Sequence, residues 1–94
     1  MLTDMLGIVE PQEEISDLEQ AGWNITSSSA NRFNLARADP NLQYLDILRI
    51  HFSESGVEEM ELRRSDREKT KLLAFRDLSM NLFRYFVYNP DNYF

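Results

Sequence analysis

The stretch Leu48 to Leu62, LRIHFSESGVEEMEL, constrains the fold more than any other part of this 94-residue chain. Glu54, Ser55 and Gly56 read as a three-residue hairpin loop with Gly56 in the left-handed conformation, which sets Ser53 opposite Val57. The rest of the pairing is then fixed. Ile50 faces Met60 and Leu48 faces Leu62 on one side of the ladder, while His51 faces Glu59 and Arg49 faces Glu61 on the other. Apolar meets apolar and cation meets anion, each pair worth about 0.2–1 kcal/mol. A slip of one residue would put Ile50 against Glu59 and ruin both faces, so this hairpin anchors the reading of everything around it.

Upstream, Pro11 followed by Gln, Glu and Glu opens a helix, because proline fits the first helical position and acids suit the positive end of the helix dipole. Ile15, Leu18 and Ala21 form its apolar side and Gly22 its left-handed cap, giving a short helix over 11–21. Leu2, Met5, Leu6 and Val9 recur at helical spacing and predict an extra turn before it, weakened by Gly7. From Trp23 the period becomes two. WNIT and RFNLAR flank the Ser/Asn cluster at 27–31 and predict a hairpin. ADPN, Ala38 to Asn41, reads as a turn leading into a strand from Leu42 to Phe52.

The last element is predicted to be one long helix. SDRE, Ser65 to Glu68, has the form of a capping box, and Asn89 and Pro90 supply a stop, which together give a helix from Ser65 to Tyr88. On a helical wheel its apolar residues, Leu72 to Val87, span about 220°, where a helix lying on a single sheet needs little more than 100°. Arg76 falls inside this apolar arc, so either its stem snorkels past the core edge and its head reaches water, or it pairs with an acid of the first helix, Asp46 or another chain. The expected architecture is α+β, one domain over 1–94, with a short N-terminal helix, a four-stranded antiparallel meander and a long C-terminal helix packed on the sheet.

Charge and composition then restrict function. The formal charge is −6, and Asp4, Glu10, Glu13, Glu14, Asp17 and Glu19 all precede the first cation, Arg32. No basic stripe with interleaved aromatics is present, which disfavours nucleic acid. Without cysteine there is no disulfide, thiolate metal site or thiol nucleophile. The opening MLTDMLGIVEPQEE carries acids where a secretory signal has bases, and no apolar run approaches the roughly 20 residues that span a bilayer. The expected setting is the cytoplasm, away from membranes.

Catalytic machinery is hard to find. His51 is the single histidine, and no glycine-flanked serine, Gly-rich phosphate loop or H-E-x-x-H occurs, so no cofactor, metal ligand or catalytic residue is assigned. The order helix, strands, helix resembles the αβββα core of the PD-(D/E)xK nucleases, with Asp46 and ELR, Glu61 to Arg63, as the nearest match. The resemblance fails twice: arginine replaces the lysine and cannot act as a base, and the register above turns Asp46 and Glu61 to opposite faces. Asp46 is expected to pair Arg64 instead, and Glu61 to pair Arg49.

Six of the last fourteen side chains are aromatic. Phe83, Phe86 and Val87 continue the core face, while Tyr85, Tyr88, Tyr93 and Phe94 either fold back over the domain edge or form a contact patch of the kind aromatics favour. The expected function is a non-catalytic protein-interaction module, adaptor or chaperone-like, that homodimerises through its last helix. Tyr85, Phe86, Tyr88, Tyr93, Phe94 and Arg76 are the candidate contacts. The alternative is a small acidic inhibitor of phage or antitoxin type, offering Glu13, Glu14, Asp17 and Glu19 to a basic surface; a metal-dependent nuclease is a remote third.

Overall fold

The computed structural model describes residues 9–94. The extra turn predicted around Leu2, Met5 and Leu6 lies outside them. Helix α1 (Pro11–Gln20) begins with proline in its first turn and Glu13 and Glu14 beside it. It ends as its sequence requires: Gly22 adopts φ +104, and the amides of Gly22 and Trp23 donate to the carbonyls of Glu19 and Leu18. Ile15 and Leu18 are buried, but Ala21 is exposed and Trp23 fills the adjoining core.

Five strands follow in a simple antiparallel meander: β1 (Asn24–Ser29), β2 (Arg32–Ala38), β3 (Leu45–Phe52), β4 (Gly56–Ser65) and β5 (Thr70–Ser79). The β3–β4 register is the one the sequence dictates, with Leu48 opposite Leu62, Arg49 opposite Glu61, Ile50 opposite Met60 and His51 opposite Glu59. The loop differs in one respect. Phe52 pairs Val57 across a register shift, and Gly56 begins β4 instead of capping the loop, with Ser53 donating its amide to the Gly56 carbonyl. Glycine is needed there because a Cβ would collide with the Leu78 carbonyl of β5. The strand expected from Leu42 begins at Leu45, since Asp39 holds the preceding turn closed through the amides of Asn41 and Gln43 while its own amide donates to Tyr44.

The long C-terminal helix is not formed. Residues 70–79 make a fifth strand, and only Met80–Tyr88 coil into helix α2, followed by a 3₁₀ turn at Pro90–Asn92. The supposed capping box is a β-turn: Asp66 donates its amide to Lys69 and accepts the amides of Glu68 and Lys69 on its carboxylate. Aspartate in a tight turn and a residue capping a helix satisfy backbone donors two and three positions on by the same bond, so the local signal is ambiguous. The helix cap is Ser79, whose hydroxyl accepts from Leu82 at 3.2 Å. The 220° arc is therefore two elements superposed. In β5, Leu73 and Phe75 face the helices and Leu72, Ala74 and Arg76 face away, until Asp77 at φ +54 breaks the alternation and lets Leu78 turn inward.

Both helices lie on one face of the sheet. Ile15, Leu18 and Trp23 join Phe33, Leu35, Leu48, Ile50, Phe52, Val57, Met60, Leu62 and Leu78, closed by Phe83 and Val87 from α2. Each such side chain contributes about 1.5–3 kcal/mol by leaving water. Edge-to-face contacts run from Phe33 through Phe52 to Phe83, tying β2, β3 and α2 together. Nothing among the described residues is layered on the opposite face of the sheet, which carries charges of both signs. Among the described residues, no helix is long and apolar enough to cross a membrane.

Candidate protein-contact surface

Helix α2 starts where β5 ends and returns over β4 and β5. At 3.6 residues per turn its faces separate cleanly. Phe83 and Val87 point into the core. Arg84 lies on the flank towards α1, where its Nε donates to Glu14 Oε1 at 2.8 Å. Phe86 lies on the other flank, stacked on Phe75 of β5 at 4.3 Å between ring centroids. Leu82 and Tyr85 complete that outer shoulder, 51 % and 54 % exposed, and Leu72 of β5 is 51 % exposed on the open face of the sheet.

The chain after Pro90 folds back onto this region. Tyr93 packs against Phe86 at 4.8 Å and against Tyr85 at 6.0 Å, and both Tyr93 and Phe94 are half-buried. The fold-back is held by Arg64. Its guanidinium makes a two-pronged bond to the fully buried Asp46 (2.8 and 2.9 Å) and another to Asp91 at 2.7 Å, and it lies 3.7 Å from the Tyr44 ring centroid and 4.9 Å from that of Phe94. These bonds raise the Arg64 pKa, and the same contact holds the Asp91 carboxyl below its ordinary range. Tyr44 is pushed up, chiefly by burial.

The candidate residues thus separate into groups. Tyr85, Phe86 and Tyr93 come together with Phe75; Phe94 joins the Arg64 cluster beside them. Tyr88 is 41 % exposed but sits on the α1 side, where burial and the nearby Asp17 and Glu14 carboxylates raise its pKa. Arg76 is not in a helix arc at all. As a β5 residue on the open sheet face its side chain is 79 % exposed, and it pairs Glu59 across the strands at 3.1 Å. Of the acids on α1, Glu13 and Asp17 are exposed, whereas Glu14 is buried in its bond to Arg84. Leu72 and Leu82 belong to the surface, although a single helical period over 65–88 cannot separate them from the core; the change of period between strand and helix does.

The geometry also bears on chemistry. Asp46, on the helix face of β3, is held by Arg64 and, at 3.4 Å, by Arg37, while Glu61 lies on the open face. Glu61 approaches Arg63 at 3.8 Å, and Arg49 is its neighbour by register. His51 Nδ1 lies 3.0 Å from Glu58, while Glu59, its partner by register, is paired with Arg76. Among the described residues, no group of three or more His, Asp or Glu side chains is placed to hold a metal ion. No protein-family model, curated protein or solved structure matches the chain.

Proposed function

We propose that this chain is a non-catalytic protein-interaction module of the cytoplasm that homodimerises through the side of the domain formed by β5 and α2. The observation that carries this reading is the run of side chains Phe75, Phe86, Tyr93, Tyr85 and Leu82 on the helix side of the β5 edge, with Leu72 exposed on the open side of the same strand. Three of them, Leu72, Leu82 and Tyr85, are large, apolar or aromatic, and half exposed. Scattered single apolar residues are ordinary on a surface, but a contiguous group built on a rigid aromatic stack has the composition of an interface centre. The absence of cysteine suits a reducing compartment.

Sedimentation at micromolar concentration tests the reading. The wild-type chain is expected to run at twice its monomer mass, and Leu82→Ser combined with Tyr85→Ser to run as a monomer with its fold intact. A second reading, the acidic inhibitor, is favoured by Glu13 and Asp17, which stand exposed on one side of α1. Glu13→Lys with Asp17→Lys separates the two: the homodimer keeps its mass under this double reversal, and a strictly monomeric wild type would transfer attention to α1.

A further inference from the structure

We propose that the dimer is built by the β5 edge pairing antiparallel with its own copy, centred on Ala74, so that two five-stranded sheets join into one. This rests on the reading that the β5 and α2 side is a contact surface between copies.

The two edges of the sheet are unlike. β1 (NITSSS) is polar, exposed throughout, and interrupted by an irregularity between Ile25 and Ser27, features that discourage pairing. β5 is ten residues long with Leu72, Leu73, Ala74 and Phe75 at its middle.

The direction of its backbone groups follows from the ladder. Asp66 donates to the Lys69 carbonyl across the β4–β5 turn, and in an antiparallel pair hydrogen-bonded positions alternate. Leu62 with Leu73 and Met60 with Phe75 are therefore hydrogen-bonded pairs. The same parity emerges from the other side of the sheet, where Phe52 donates to Asn31. Hence Leu72, Ala74 and Arg76 direct their N–H and C=O groups to the free edge, and all three are exposed.

Register is decided by the side chains. Directly opposite residues share a face of the sheet, so a two-fold junction must be centred on a residue and not between two. Centred on Leu73, Lys71 faces Phe75; centred on Phe75, Leu73 faces Asp77. Centred on Ala74, Leu73 faces Phe75 twice, in the non-hydrogen-bonded positions where side chains approach most closely. The Arg76 stem then lies over Leu72 on the open face.

The helices agree. α2 lies over both β4 and β5. With strands about 4.8 Å apart, the β4–β5 midline is about one spacing from the two-fold axis, which puts the two α2 helices about 10 Å apart on the same face. Packed helices sit about 8–10 Å apart. The shoulders bearing Leu82 and Phe86 would meet there.

The chain has no cysteine, so single cysteines report the geometry directly. Ala74→Cys brings two thiols together at the axis, with Cα atoms about 5.5 Å apart, within the range a disulfide spans. Mild oxidation is expected to link most of the protein as covalent dimer, while Ser28→Cys on the β1 edge stays unlinked. Ala74→Pro removes an N–H that points out of the sheet, breaking no β4–β5 bond, and is expected to give a monomer with unchanged circular dichroism. Should Ala74→Pro fail to fold, the cysteine result still decides. A wild-type dimer that Leu82→Ser with Tyr85→Ser dissociates, but in which Ala74→Cys does not link, overturns edge pairing and leaves the helix contact standing. A wild-type monomer overturns both.

Discussion

Arg64 binds three parts of the chain at once: Asp46 of β3 beneath it, Asp91 of the terminal turn beside it, and the rings of Tyr44 and Phe94 against its plane. Asp46 has no exposed surface, and among the described residues its charge contacts are with Arg64 and Arg37. Arg64 keeps Asp91 when Asp46 is removed, so what is lost is the buried charge-assisted hydrogen bonding, about 1.5–3 kcal/mol. Asp46→Ala is expected to lower the unfolding free energy by that amount in urea titrations followed by the emission of the single tryptophan, Trp23. The Asp91 contact behaves differently because its side chain is 73 % exposed and screened by solvent. Its folded pKa lies below the unfolded value, so the stability it adds is complete above about pH 4 and drains away as pH falls through the lowered folded value. The Asp66 carboxylate, bonded to two turn amides, titrates with the same sign. On acidification, the Phe94 ring resonances are expected to shift as Asp91 releases Arg64, and Asp91→Asn to abolish that transition while leaving the Asp66 component. The Asp46–Arg64 pair could be read from sequence because a register predicts neighbours. Glu14 with Arg84 could not, since seventy residues and no shared ladder separate them.

At the level of elements, the sequence is most legible where side chains alternate against a partner strand and least legible where one period gives way to another. The β3–β4 hairpin carries two independent agreements, apolar with apolar and charge with charge, so a wrong register is penalised twice. β5 makes agreements of the same kind with β4, Leu73 with Leu62, Phe75 with Met60 and Arg76 with Glu59, but they do not exclude a helix: TKLLAFRDLS is apolar enough for either period, no glycine or proline separates strand from helix at Ser79, and SDRE fits a turn as well as a cap. Tertiary pairing decides, because 70–79 completes an edge that β4 would otherwise leave open. The two serines offer a direct check. Ser79→Ala removes a true helix cap and is expected to cost about 1 kcal/mol, whereas Ser65→Ala removes only a surface hydroxyl contact with Thr70 and should stay within about 0.5 kcal/mol of wild type in the same denaturation assay. Equal costs, or the reverse order, would restore the long helix.

For the molecule as a whole, the distribution of charge sets how copies meet. The acids of α1 lie beside the Arg84 flank of α2, where Glu14 binds Arg84 and Asp17 approaches Tyr88, so the strongly negative part of each subunit is on the opposite side of that helix from the Phe86 shoulder at the proposed junction. Two chains of charge −6 nevertheless repel at long range. Contacts made from backbone hydrogen bonds and apolar side chains gain little from low salt, and the repulsion is what salt removes. Raising ionic strength from about 0.01 M, where the Debye length is about 30 Å, to about 1 M, where it is about 3 Å, is therefore expected to tighten the dimer in sedimentation equilibrium. An acidic surface docking on a basic target gives the opposite slope, weakening steeply over the same range. The sign of one salt series thus separates association through the β5 and α2 side from recognition through α1, and it does so without altering a single residue.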